Sequence, residues 1–119
     1  MQDKTIDSKP LTTEQLLDFV SSLGKFSITI DQNLRIFKTP DDAGRIFLIL
    51  HSKSAPLRLE VGTDAKLAKL LAERYESVMP SRHISPKEWI EIICAGQLTG
   101  VEVLDLVRMS FNRANNVLT

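Results

Sequence analysis

The first third of the chain changes from a helical to an alternating pattern of apolar residues. Apolar side chains recur every three or four positions over residues 13–23, and Thr12 stands three residues before Gln15, the spacing of a helix-capping box. This pattern predicts an amphipathic helix over about 13–23, with Gly24 as its stop signal. Residues 26–30 then alternate between apolar and polar, which predicts a strand with one buried face.

Three more strands are predicted between short loops rich in turn-forming residues, at 34–38, 45–50 and 57–61. The continuous apolar run at 46–50 is typical of a central strand that is covered on both faces. In the last of the three strands, Arg58 and Glu60 alternate with leucine and valine. That alternation predicts that these two side chains lie on a face in contact with solvent.

The second half of the chain alternates between helix and strand. Asp64 is placed to cap a helix that runs to about residue 77. Two prolines bracket a loop at 80–86, and residues 88–94 have the pattern of a fifth strand. A second capping-box spacing precedes apolar residues at helical intervals, which predicts a last helix over about 101–117.

The element order α-β-β-β-β-α-β-α defines the predicted fold class. Strands joined by short loops pair antiparallel, and helices that do not alternate one for one with strands indicate an α+β protein. We therefore expect two layers, with three helices packed against an antiparallel sheet of about five strands. The 119 residues suit one domain, so we expect a flexible N-terminal leader at 1–10 and a single domain at 11–119.

Composition and charge exclude several classes of protein. Fifteen Lys and Arg residues balance fifteen Asp and Glu residues, so no long-range field draws the whole chain to nucleic acid or an anionic membrane. The longest apolar run has five residues, so neither a signal peptide nor a spanning helix is expected. The single Cys94 follows two isoleucines and is expected to be a buried apolar residue. These features predict a cytoplasmic protein with no membrane partner.

Catalytic and metal-binding motifs are missing from the sequence. His51 and His83 are 32 residues apart and fit no HExxH pattern, and the five glycines form no phosphate-binding loop. We therefore expect no metal, no cofactor and no enzymatic activity. His83 is interpreted as a loop anchor hydrogen-bonded to the backbone, and Glu88 and Glu91 are expected on a solvent face.

Local charge is more informative than net charge. Residues 43–59, 77–87 and 106–119 contain no Asp or Glu but hold Arg45, His51, Lys53, Arg58, Arg82, His83, Lys87, Arg108 and Arg113. If these three windows converge, their basic side chains could contact phosphates, and Trp89 or Tyr75 could offer a stacking face. Alternatively, each window is a solvated face whose acidic partners come from elsewhere, and Trp89 is a partly buried structural residue.

From about residue 57 onward the sequence resembles the MmcQ/YjbR family. The most distinctive stretch is 78–89, in which a proline is followed by His83, a lysine-containing turn and Trp89. Weaker matches in the same register are 37–38, 45–47, 57–61, 64–71 and 103–111, so the resemblance covers about 13–118. One departure changes the charge, since Glu60 stands where the family usually has a basic residue.

The resemblance implies a compact α+β domain with an antiparallel sheet and helices on one side, similar to type III secretion chaperones and CyaY-like proteins. It also implies the family's usual description as predicted DNA-binding proteins, many of them small, bacterial and cytoplasmic. No catalytic residues come with it.

Two hypotheses on function follow from these observations. The first is a non-enzymatic binding domain of the MmcQ/YjbR type that binds DNA weakly and in a salt-sensitive way. Its phosphate contacts would be Arg58, Arg82, His83 and Lys87, with Trp89 as a supporting aromatic. The alternative is a protein-interaction or chaperone-like module that holds a peptide or protein partner.

Overall fold

A computed structural model describes residues 10–117 of the chain. Within that range the helices are α1 (Thr13–Leu23), α2 (Ala65–Arg74) and α3 (Gly100–Ala114). The strands are β1 (Ser27–Asp31), β2 (Leu34–Lys38), β3 (Ile46–His51), β4 (Arg58–Gly62), β5 (Val78–Pro80) and β6 (Trp89–Ile93). The predicted leader lies outside the described residues except for Pro10, which is exposed.

The six strands form one antiparallel sheet in the order β1-β2-β3-β4-β6-β5. Helix α3 packs on β3 and β4, α1 packs on α3, and α2 packs against β5 and β6. The predicted α+β class with an antiparallel sheet is therefore confirmed. The described residues contain one strand more than expected, because β5 has only three residues and is too short to show a period in the sequence.

The helix signals in the sequence act as predicted. Thr12 and Thr99 both form complete capping boxes, with Gln15 and Glu102 as their partners. Asp64 caps α2 by accepting a hydrogen bond from the backbone of Leu67 at 2.8 Å. The two later helices are shorter than predicted, since α2 ends at residue 74 and α3 at residue 114.

A cluster of four phenylalanines joins the sheet to the helical layer. Phe47 packs edge-on against Phe111 of α3, with ring centroids 5.0 Å apart, and also touches Phe26 and Phe37. The register between β2 and β3 shifts beside Phe37, so a β-bulge adds one residue to β3. The bulge lets two consecutive residues, Phe47 and Leu48, both enter the core.

Ser110 connects α3 to two strands at the end of this cluster. Its hydroxyl donates to the carbonyl of Phe47 at 2.6 Å and accepts from the backbone N–H of Gly62 at 3.0 Å. Ser110 is buried, so without its hydroxyl both backbone groups would be left unpaired in the interior. The Ser-Phe pair at 110–111 therefore supplies one polar and one aromatic contact between the layers.

Strand β1 differs from its predicted environment. The alternation at 26–30 predicted one buried face, but every residue of β1 is exposed, including Ile28 at 46% and Ile30 at 73%. The reason is its position at the sheet edge, because the helix that covers the sheet centre lies over β3 and β4. Strand β3, by contrast, has four consecutive buried residues, as its continuous apolar run predicted.

Cys94 is buried, as predicted, and burial raises the pKa of its thiol to about 12. The thiol therefore stays protonated at neutral pH and behaves as a small apolar side chain. Among residues 10–117, the helices are too short and too polar to cross a membrane.

Replacing Ser110 with alanine should lower the free energy of unfolding by about 1–3 kcal/mol, because two buried backbone groups lose their partner. Urea unfolding followed by the fluorescence of Trp89 measures the change. Ser22→Ala is the matched control, since the Ser22 hydroxyl donates to a carbonyl at the same 2.6 Å but lies exposed on α1. Equal effects of the two substitutions would contradict the bridging role of Ser110.

Candidate functional site

Two glutamates face each other at the centre of the sheet. Glu60 of β4 lies directly opposite Glu91 of β6, and both side chains are completely buried. The prediction that both face solvent is wrong, because residues 81–88, which connect β5 to β6, lie over this face of the sheet. Glu88, which was expected beside Glu91, is half exposed as predicted. A buried carboxylate is costly unless cations or hydrogen-bond donors surround it, so the neighbours of Glu60 and Glu91 decide what this site can do.

Glu60 is bound by two imidazoles and a hydroxyl. Its Oε2 accepts hydrogen bonds from Nε2 of His51 at 2.7 Å and from Nδ1 of His83 at 2.6 Å. Its Oε1 accepts from the hydroxyl of Ser81. That hydroxyl oxygen also accepts from the backbone N–H groups of His83 at 3.0 Å and Ile84 at 3.1 Å. Ser81 thereby ties the start of the 81–88 loop to Glu60.

Glu91 has arginine partners but is not fully satisfied. Its Oε2 accepts from Nη2 of Arg58, on the neighbouring strand. Its Oε1 lies 3.6 Å from Nη2 of Arg82, which is too far for a normal hydrogen bond. Among the described residues this Oε1 has no hydrogen-bond partner, and neither does Nε of Arg58. The cluster therefore holds one buried carboxylate oxygen whose hydrogen-bonding capacity is unused.

The sheet register brings residues from distant parts of the sequence into this cluster. His51 at the end of β3 lies opposite Arg58, and Ile49 lies opposite Glu60, so His51 and Glu60 are diagonal neighbours on one face. The loop then brings His83 over the same point, with its ring centroid 5.6 Å from that of His51. His83 is a loop anchor, as predicted, but it binds a carboxylate through its side chain and not the backbone.

The charges of the cluster are layered. The carboxylates of Glu60 and Glu91 are 0% exposed, whereas the side chains of Arg82 and Arg58 are 68% and 30% exposed. The His83 side chain is 37% exposed, and that of His51 is 15% exposed. The negative charges therefore lie beneath, and the groups that meet solvent are guanidinium and imidazole groups. This face presents donors to a ligand even though its formal charges nearly cancel.

The residues proposed from the sequence as DNA contacts do not form one patch. Arg58, Arg82 and His83 meet in the cluster, where each has a buried carboxylate as partner. Lys87 is exposed and borders a groove beside α2, next to Lys69. Two of the acid-free windows therefore converge in part, through Arg58 from one and Arg82 and His83 from the other. Their acidic partners come from other positions in the sheet. Sequence reasoning missed Glu60, Glu91 and His51 as members of the site, because only the strand register relates them.

Trp89 lies at the other end of the same face and is partly buried, as one reading of the sequence predicted. Its indole packs so closely on Gly62 that a Cβ at Gly62 would lie 2.9 Å from Cε2. With Arg45, Ile84 and Arg113 it lines an open cleft of about 380 Å³. Both arginines bind backbone carbonyls, so their guanidinium groups are already engaged.

Fold and site together define a small two-layer α+β domain with a polar cluster buried under the loop before its last strand. The solved structures that share this fold include the following two. Protein DR2400 of Deinococcus radiodurans, with a DUF419 domain, superposes with a TM-score of 0.79, covering 97% of this chain and 83% of that one at 19% identity. A protein from Pseudomonas syringae gives a TM-score of 0.72, covering 87% of this chain and 99% of the other at 14% identity.

Part of the chain also matches known proteins in sequence. Over 56 residues the chain is 34% identical to the uncharacterized protein YjbR of Escherichia coli, in strains K12 and O157:H7. That alignment covers 47% of this chain and 48% of the relative, so it spans about half the length of the curated relatives. No family model matches the chain. YjbR belongs to the DUF419 family, and the resemblance to YjbR that the sequence predicted is confirmed over the matched residues.

Replacing Glu91 with glutamine should lower the free energy of unfolding by about 2–3 kcal/mol, because it leaves the buried end of Arg58 without a carboxylate. Glu88→Gln is the matched control, since Glu88 pairs with Arg113 on the surface and its loss should cost less than about 1 kcal/mol. Urea unfolding of both variants gives the comparison. Similar losses in the two variants would mean that the buried pair contributes no more than a surface pair.

Proposed function

We propose that this YjbR-like domain is a non-enzymatic DNA-binding domain that contacts phosphates through the surface of the 81–88 loop. The observation that supports the proposal is the layered charge of the cluster, with both carboxylates fully buried beneath partly exposed arginine and histidine side chains. A phosphate that approaches this face meets guanidinium and imidazole N–H groups before it meets an acidic group.

The contacts are divided unequally among the residues. Arg82 is the most exposed of the cluster, and its 3.6 Å separation from Glu91 leaves its guanidinium available to a phosphate. Lys87 is exposed on the same loop. Arg58 is held by Glu91 and His83 by Glu60, so these two side chains are less free than Arg82 to reach a phosphate. Trp89 supports the loop from the protein side by packing on Gly62.

This arrangement favours weak binding with little sequence preference. The buried carboxylates cancel most of the cluster's charge beyond a Debye length of about 8–10 Å, so attraction acts only at short range. We expect backbone contacts without base readout, because phosphate contacts position a protein and carry no sequence information. A cytoplasmic location, where DNA is accessible and the thiol of Cys94 stays reduced, is part of the same proposal.

The test is fluorescence anisotropy of labelled duplex DNA at about 50 and 200 mM salt. Two phosphate contacts, from Arg82 and Lys87, predict a loss of affinity of about 12-fold across that range, whereas the four contacts expected from sequence predict about 150-fold. The double variant Arg82→Gln/Lys87→Gln should bind much more weakly and show a flatter salt dependence.

The matched control is Lys25→Gln/Arg108→Gln, which removes the same charge from a loop beyond α1 and from α3. It should leave binding within about twofold of the parent after the small change in net charge. Absence of DNA binding at tens of micromolar protein in low salt, or equal losses of affinity in both double variants, would contradict the proposal.

A second candidate function, a protein-interaction module, is favoured by β1. This edge strand is exposed along its whole length, and Ile28 and Ile30 project from one face of it. An open apolar edge strand is a template for strand addition by another chain. We propose a second copy of the domain as the simplest occupant, paired β1 to β1.

Sedimentation equilibrium tests the second candidate. We expect a reversible dimer at high protein concentration that Ile30→Lys abolishes, since a charge on the edge strand opposes strand pairing. Leu70→Lys is the control, because Leu70 is an apolar residue of α2 with 51% exposure that lies away from β1. A monomer at every concentration, or a dimer that Ile30→Lys leaves intact, would exclude this pairing.

A further inference from the structure

Three side chains with metal-binding chemistry converge at one point of the cluster. Nε2 of His51, Nδ1 of His83 and a carboxylate oxygen of Glu60 all lie within 4.8 Å of one another. We propose that these three residues form a binding site for a divalent transition-metal ion of the zinc type. The inference is independent of DNA binding, because it rests on the inner layer of the cluster and not on its exposed arginines.

The donor set selects the class of ion. Two imidazole nitrogens and one carboxylate oxygen suit Zn²⁺ and its neighbours in the first transition series, whereas Ca²⁺ and Mg²⁺ prefer oxygen ligands alone. Three protein ligands leave a further coordination position for water or an exogenous group. His83 is the ligand that meets solvent, so that position would open toward the loop surface.

The present distances are those of hydrogen bonds, at 2.6 and 2.7 Å from Oε2 of Glu60. Ligand atoms around a tetrahedral Zn²⁺ with bonds of about 2.0–2.1 Å lie roughly 3.3 Å apart, so metal binding requires a separation of about 0.7 Å. His51 and Glu60 are fixed on strands, but His83 lies on a connecting loop and is partly exposed. Both separations must therefore lengthen, by an outward shift of His83 and by side-chain rotation of His51 or Glu60, whose backbones alone are fixed on strands.

Ser81 provides a hydrogen bond to one of the proposed ligands, as metal ligands in proteins usually receive from a neighbouring residue. Its hydroxyl binds Oε1 of Glu60, which leaves Oε2 directed at the two imidazoles. Two backbone N–H groups fix that hydroxyl in turn. Partners of this kind orient the ligating group and typically change metal affinity by 10- to 100-fold when removed.

The unsatisfied oxygen of Glu91 is a second feature of the cluster that a nearby cation would help to offset. This Oε1 is buried without a hydrogen-bond partner among the described residues, and its carboxylate is directly opposite Glu60. In the fully buried layer Glu60 and Glu91 carry an excess of negative charge, because the arginines that balance them, Arg58 and Arg82, are partly exposed. A divalent cation on Glu60 would offset that excess at short range.

The spacing of the histidines in the sequence predicted no metal site. Histidines 32 residues apart match no known local motif, and Glu60 lies between them in a pattern that predicted solvent exposure. The strand register and the folded-back loop place all three side chains together. A site assembled by tertiary structure is therefore compatible with a sequence that lacks a metal motif.

The experiment is titration of the metal-free full chain with Zn²⁺ against a chromophoric chelator near pH 7.5. We expect one ion per chain with micromolar or tighter affinity, and a loss of more than 100-fold in His51→Ala/His83→Ala. Ser81→Ala, which keeps all three ligands, should weaken binding by about 10- to 100-fold. Glu88→Gln is the control, since it removes an exposed carboxylate outside the cluster and should leave affinity unchanged.

Titration with Co²⁺ provides a second readout that does not depend on stability. A tetrahedral or five-coordinate site of nitrogen and oxygen ligands gives visible d–d absorption without a thiolate charge-transfer band, because Cys94 is buried away as a protonated thiol. Circular dichroism checks that each variant is folded. If His51→Ala/His83→Ala does not fold, His83→Ala alone, which removes the exposed ligand, replaces it in the titration. Stoichiometric binding that survives His83→Ala, or no binding of Zn²⁺ at 100 µM, would overturn the proposal and leave the cluster as a hydrogen-bonded network only.

Discussion

The burial of two opposed carboxylates in the middle of the sheet is the constraint on which this structure depends. Glu60 and Glu91 occupy adjacent central strands and are completely removed from solvent. Their desolvation is costly and must be offset by donors from both the sheet and the loop above it. The 81–88 loop, Arg58 and both histidines supply those donors.

The opposite face of the same sheet is held by a different kind of contact. There the phenylalanine cluster and the buried hydroxyl of Ser110 join α3 to the strands. Apolar packing on that side supplies stability without specific chemistry, and the polar cluster on the other side supplies chemistry at a cost in stability. The two faces therefore divide the roles, with the helical layer as scaffold and the loop-covered face as candidate site.

The layered charge also reconciles two readings that the sequence left open. The basic windows do converge in part, since Arg58 and Arg82 come from different windows and meet at Glu91. Their acidic partners come from elsewhere in the fold, as the alternative reading supposed. The consequence is a face that is close to neutral as a whole but presents cationic groups outward, which suits short-range binding of an anion better than long-range steering.

Local signals in the sequence determined the helices, their N-terminal caps, the central strand β3 and the α+β class, because capping and apolar periodicity act over a few residues. The resemblance to the MmcQ/YjbR family, and not a local signal, placed His83 and Trp89 in a distinctive segment. Tertiary structure alone decided that β1 is exposed and that Glu60 and Glu91 are buried. Alternation reports that a strand has two different faces, but only the packing of helices and loops decides which face meets solvent. The grouping of His51, Glu60 and His83 depends on strand register and a returning loop, which no local pattern encodes.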